Sequence, residues 1–146
     1  MQMNRSVRKQ LVLSAVLLGV LSTLGVGFAL ACPPEQDSQA EQAYMVAVGF
    51  IQNRNWQEAI PSLQSALAIC PDHTNSLRWL GKAYMATDQY DQALEQYEAL
   101  IASLGNDITA NDYMEQGMAY AKLKQYKEAR ISYIKAERLD GANCNI

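Results

Sequence analysis

The sequence predicts an all-α protein, a solenoid of three stacked helix hairpins with six helices. Two observations predict it. Shifting the chain against itself brings similar residues into columns: Ala47, Gly81, Gly117; Phe50, Tyr84, Tyr120; Trp56, Tyr90, Tyr126; Ala59, Ala93, Ala129; Leu63, Tyr97, Tyr133; and Ala66, Leu100, Ala136. Every column steps by 34 residues and then by 36. Within one period, 77–100 reads as a single hairpin. Leu77, Leu80, Gly81 and Tyr84 share one side of a first helix, Thr87-Asp88-Gln89 form a polar turn, and Tyr90, Ala93, Tyr97 and Leu100 line a second. Neither helix can bury its stripe alone, so the periods must stack on one another.

At these columns the sequence resembles the tetratricopeptide repeat, whose pattern sets a small residue and an aromatic on a first helix, A. Aromatic, Ala, aromatic and Ala follow on the second, B. The resemblance covers a domain at 39–143 with repeats at 40–73, 74–109 and 110–143. It fixes architecture more than function, because the matching residues are mostly packing residues.

The N-terminus is of another kind. Arg5, Arg8 and Lys9 precede an uncharged run at 11–30 that ends in Ala29-Leu30-Ala31-Cys32, which reads 1–31 as an export signal or membrane anchor. Three endings are open. Ala29-Leu30-Ala31 fits cleavage by ordinary signal peptidase; Cys32 suggests lipidation, as in a bacterial lipoprotein, although Leu30 stands two residues before it where a typical lipobox has Leu at three; and the uncharged run is long enough to span a bilayer as an uncleaved anchor. All three place the repeats outside the cytoplasm, periplasmic or on the cell surface, because the positive flank stays inside.

Past 1–31 the chain is acidic, with nine basic groups against 15 acidic ones once Arg5, Arg8 and Lys9 are set aside. A nucleic-acid groove needs a basic stripe, so nucleic acid is not an expected partner. Residues 32–38, with Pro33 and Pro34, read as a polar linker. Ser38 and Glu41 have capping-box spacing and open helix A over 39–52, and Asn55-Trp56-Gln57-Glu58 repeats the device for helix B to about Ile69. Pro61 falls in the first turns of that helix, where a missing donor costs least, and Pro71-Asp72 closes the repeat. Gly105 closes the second repeat with a positive φ, and two extra residues after it account for the step of 36. Thr109-Ala110-Asn111-Asp112 caps the next helix A. The last helix B is expected over 126–139, stopping at Asp140-Gly141, with a tail at 144–146 and no capping helix after it.

Catalytic chemistry is hard to find in this pattern. His73 reads as a solvated turn residue, no His/Cys cluster has metal-ligand spacing, and no Gly-rich phosphate loop occurs, so neither an enzyme nor a cofactor is expected. Cys70 and Cys144 are two hairpins apart, too far for a bridge. An unlipidated Cys32 could reach Cys70, but a buried thiol at Cys70 is the favoured reading.

The resemblance implies a protein or peptide partner held on the concave face that the A helices line. Carried onto this sequence, that face holds Tyr44, Val48 and Ile51 with Glu41 and Gln52; Asn75, Arg78, Lys82 and Met85 with Ala86; and Asn111, Met114, Met118 and Lys122 with Ala121. Methionines adapt to varied partner shapes, and Arg78 with Lys82 is expected to receive an acidic group from the ligand. Chaperone-binding members hold a C-terminal carboxylate with Lys and Asn on successive A helices; Tyr44 and Val48 depart from that pattern, which argues against such a clamp. A second surface comes from helix B, where Pro61 and Gln64, then Glu95 and Glu98, give way to Ile131 and Ile134. That apolar face suggests docking or self-association as a structural scaffold, the alternative to an adaptor.

Overall fold

The computed structural model describes residues 32–143. Along them run helices α1 Pro34–Gln52, α2 Trp56–Ile69, α3 Thr74–Ala86, α4 Tyr90–Leu104, α5 Ala110–Lys122 and α6 Tyr126–Asn143, with a 3-10 turn at Gly105–Asp107 between α4 and α5. Every helix pair in extensive contact is consecutive in the chain. That is the nearest-neighbour order of a stacked repeat. The core follows the columns: Ala47, Leu63, Leu77, Leu80, Tyr84, Tyr97 and Leu100 pack into one buried cluster that extends into the third repeat at Ala119.

Two columns are coupled by space. A Cβ on Gly81 would lie 2.7 Å from the Tyr97 ring, and one on Gly117 would lie 2.6 Å from the Tyr133 ring. A ring in this position leaves no room for a Cβ on the facing helix unless the ring moves. In the first repeat the facing residue is Leu63 and the helix carries Ala47, both fully buried.

Each A helix ends in the same way. Arg54, Asp88 and Lys124 take φ of 56°, 60° and 62°, and the next residue's N–H returns to the carbonyl of Phe50, Tyr84 or Tyr120 at 2.9 Å. This is a Schellman closure, usually built on glycine. Gly105 ends α4 with φ 55° and ψ −108°, a backbone region that only glycine adopts readily.

Several local expectations change. Helix α1 starts at Pro34, so most of the expected linker is helical and the Ser38–Glu41 box is not its cap. Pro34 suits the first helical position, and Glu35 and Asp37 favour the positive helix end. Asn55 precedes α2, but its side chain makes no capping bond. Pro61 lies inside α2 without interrupting it. Thr109 and Asp112 do form the reciprocal box at the start of α5. Helix α6 runs through Gly141 to Asn143, past the expected stop, because Gly141 does not turn to positive φ.

Cys32 and Cys70 are joined by a disulfide, with Cα atoms 5.7 Å apart. The favoured reading of a free thiol at Cys70 is thus corrected: the helical start of α1 lies close enough to the end of α2 to bridge. The bridged and lipidated forms of Cys32 exclude each other, since a sulfur in a disulfide has no valence for a lipid thioether. The signal at 1–31, the tail at 144–146 and Cys144 lie outside the described residues. Among the described residues no helix is long and apolar enough to cross a membrane.

Candidate functional site

The A helices α1, α3 and α5 are tied to one another by polar contacts spaced about one repeat apart. Between the first two, His73 precedes α3 as its N-cap, and its Nδ1 accepts from the Ser76 N–H and lies 2.8 Å from Ser76 Oγ. That use of Nδ1 leaves Nε2 to face Glu41 Oε2 on α1 at 3.0 Å. The Tyr44 ring lies 5.7 Å from the same imidazole. His73 is buried, which corrects the solvated reading. A signal existed: His73 stands one repeat before Thr109, the N-cap of α5.

Between α3 and α5, Arg78 Nε donates to Asp112 Oδ1 at 2.9 Å and Lys82 Nζ lies 3.3 Å from Glu115. Asp112 is only 1% exposed. Burial alone would raise its carboxyl, but the hydrogen bond from Arg78 and those from the Thr109 backbone and hydroxyl outweigh it and hold the pKa below the ordinary range. Lys82 also lies over the Trp79 ring. The two cations expected to wait for a ligand carboxylate are thus already matched within the chain. A buried carboxylate supplies the physical reason, since it is costly without its counter-ion.

The other predicted groove residues divide by exposure. Ile51 is core, Tyr44 and Met85 pack partly against the core, and Val48 is half-buried. Asn75, Asn111 and Lys122 are exposed, and the Lys122 ammonium sits 5.6 Å from the Tyr90 ring centre. Met114 is 45% exposed and Met118 40%. Four residues apart on α5, they share one face of the helix. The open part of the predicted groove is therefore apolar and amide-lined, with Lys122 as an exposed cation.

Helix B contacts refine the second surface. Gln64 Nε2 donates to the Tyr84 hydroxyl at 2.8 Å, and the Tyr120 hydroxyl donates to Glu98 at 2.9 Å. The place expected to face outward thus meets the following A helix, and Ile134 occupies it in the third repeat. Tyr97 is fully buried and its hydroxyl reaches Glu115. Burial first, then the nearby Glu115 charge and hydrogen bond, push that phenol well above its ordinary pKa. Ile131 and Ile134 are both exposed, and a shallow hollow beside Ile131 is lined by Tyr126, Lys127 and Arg130.

Among the described residues, Cys32, Cys70 and Asp72 form a cluster of metal-ligand type. With the two sulfurs bonded to each other, it offers no thiolate to an ion.

Comparison with known proteins bears on the fold. The tetratricopeptide repeat family matches residues 50–117 and again 113–143, together more than half of the chain. DnaJ homolog subfamily C member 3 of Rattus norvegicus is 30% identical over 71 residues, which is 49% of this chain but only 14% of that protein. Among solved structures, MamA is 25% identical with a TM-score of 0.66, covering 73% of this chain and 61% of that one. The second repeat domain of Spaghetti (RPAP3), bound to the HSP90 peptide SRMEEVD, is 18% identical with a TM-score of 0.66, covering 72% and 95%. The repeat domain of Arabidopsis FLU is 15% identical with a TM-score of 0.65, covering 73% and 98%. With the column spacing, the helix order and these matches in agreement, the chain belongs to the tetratricopeptide repeat family.

Proposed function

We propose that this protein is a non-catalytic adaptor or assembly factor that holds a peptide or helix of a partner protein along its A-helix face. The observation that carries the reading is the exposure of Met114 and Met118 on α5, on the A-helix face to which the repeat resemblance assigns Tyr44, Val48 and Met85 as well. Because Arg78 and Lys82 are engaged with Asp112 and Glu115, they are not the ligand's counter-ions, and the ligand is recognised chiefly through apolar side chains and amide contacts. The peptide-bound Spaghetti domain is a fold neighbour in which the same architecture carries a peptide.

The setting we propose is outside the cytoplasm, with the chain attached to a membrane through its N-terminus. The basic flank and uncharged run of 1–31 support export. The Cys32–Cys70 bridge supports it too, because disulfides persist in oxidising compartments. Because the bridge is incompatible with lipidation at Cys32, the attachment we propose is 1–31 retained as an anchor, with a cleaved soluble form as the alternative.

A photo-crosslinking probe at Asn75 of the full chain in its native cell tests the groove. The expected result is capture of a partner that falls at least about tenfold when Met114 and Met118 are both replaced by Glu, with helicity unchanged. Capture that is indifferent to the pair refutes the groove.

A further inference from the structure

Among the described helices, the outward faces of the first and the last, α1 and α6, carry matched changes. In the junction between the second and third repeats, the polar pairs that join the helices include Arg78 with Asp112, Lys82 with Glu115, and Glu98 with Tyr120, besides Tyr97 with Glu115. One repeat further on, Arg78, Lys82 and Glu98 are replaced by Met114, Met118 and Ile134. Two repeats back, Asp112, Glu115 and Tyr120 are replaced by Gln42, Met45 and Phe50. The first three of these pairs have lost both partners, and the Tyr120 hydroxyl disappears together with its carboxylate acceptor.

Exposure follows the same division. Met45 and Val46 on α1, and Tyr133 and Ile134 on α6, are large apolar side chains left exposed. Val46 is 58% exposed on α1, whereas Leu80 and Gln116 at the equivalent places are buried. Tyr133 is 39% exposed on α6, whereas Tyr97 at the equivalent place is fully buried and its hydroxyl reaches Glu115 of the following repeat. The end faces of a repeat array are ordinarily polar, and here charged places on both become apolar at Met118, Ile134 and Met45. Paired losses on both faces suit contact between them.

We propose that a second copy of this chain docks head to tail, setting the outer face of its α1 against the outer face of α6 in the register of an internal junction. Ile134 then meets Phe50 of the second copy, while Tyr133 and Met118 meet its Met45. Arg130 and Glu137 stand where α4 has Leu94 and Ile101, so the contact has a charged rim and is weaker than an internal junction. It is heterologous, and its repetition builds open chains of copies with the groove continuing from one to the next. This goes beyond the adaptor reading and does not depend on it.

The test uses the full chain in mild detergent, followed by light scattering and sedimentation across a concentration series. Ile134→Asp and Met45→Asp should each raise the concentration of half-association at least about tenfold, because a carboxylate is driven into an apolar contact. Helicity should not change, since both positions are exposed. Mixed in equal amounts, the two variants should associate again but stop at the pair, since each keeps the face that the other has lost. The proposal is overturned if the unaltered chain does not self-associate, if Met45→Asp associates normally, or if the mixture stays apart, which would mean a symmetric contact. It is also overturned if a photo-crosslinker at Ile134 reaches only a foreign protein or residues 1–31 of its own chain. Partner capture from Asn75 in the Ile134→Asp background keeps the groove reading separately measurable.

Discussion

Adding one methyl group to each of the two repeat glycines should have opposite consequences. Gly81→Ala places a Cβ 2.7 Å from the Tyr97 ring, and Gly117→Ala places one 2.6 Å from the Tyr133 ring, so the initial clash is the same. What differs is where the ring can go. Tyr97 is completely buried and Tyr133 is 39% exposed. Alanine in place of glycine gains about 1 kcal/mol of helix propensity, while overpacking a tight core costs about 1–3 kcal/mol. With Tyr97 confined, the upper part of that range applies and Gly81→Ala should lose about 1–2 kcal/mol net. Tyr133 can swing outward, so Gly117→Ala should be within about 0.5 kcal/mol of neutral or slightly stabilising. Urea unfolding followed by circular dichroism measures both, provided the slope is unchanged. A double-mutant cycle adds a sharper reading: in a Tyr97→Leu background, which imitates the Ala47 and Leu63 pair, Gly81→Ala should lose most of its cost. If Gly81→Ala is no worse than Gly117→Ala, or its cost persists in the Tyr97→Leu background, ring-to-glycine packing is not what couples the columns.

Two further outcomes follow from the described contacts. Asp112 has a depressed folded pKa, so its contribution is present above the ordinary carboxylate range and is lost as pH falls through the folded value; Arg78→Met should destabilise by about 2–4 kcal/mol at neutral pH and weaken the acid-side dependence in a denaturation series from neutral to low pH, whereas an unchanged dependence would count against the pair. Reduction of the Cys32–Cys70 bridge, or Cys70→Ser, should lower stability by about 2–4 kcal/mol, and hydrogen exchange should show the protection lost chiefly in α1 and α2, not α5 and α6.

The columns were legible because packing repeats: a small residue against a ring, an alanine against an alanine, each recurring at one spacing. Polar partners were harder to read because each joins two repeats whose residue types differ. Arg78 and Lys82 looked free when the third repeat was considered apart from the second, although Asp112 and Glu115 follow them by about one period. His73 looked like part of a turn because Pro71 and Asp72 precede it, while the Glu41 that it meets lies on another helix. At the start of α1, two N-terminal signals competed, the Ser38–Glu41 box and Pro34 followed by Glu35 and Asp37. The second prevailed, and the bridge from Cys32 to Cys70 ties down the turn it opens. Ile131 and Ile134 were recognised as unusual from the column alone, but only the bonds of Gln64 and Glu98 to neighbouring tyrosines show that position 134 belongs to an inter-repeat contact.

The bridge also changes how the molecule transmits force. Cys32 and Cys70 are 38 residues apart in sequence, and the whole hairpin of α1 and α2 lies between them. When tension is applied to the chain ahead of Cys32 and to its far end, the covalent path runs from Cys32 through the two sulfurs to Cys70, then directly into α3. The first hairpin hangs beside that path as a slack side loop and bears no direct load along its backbone. Reducing the bridge would bring its contour into the stretched length, so the oxidation state of two sulfurs sets how far the protein can extend.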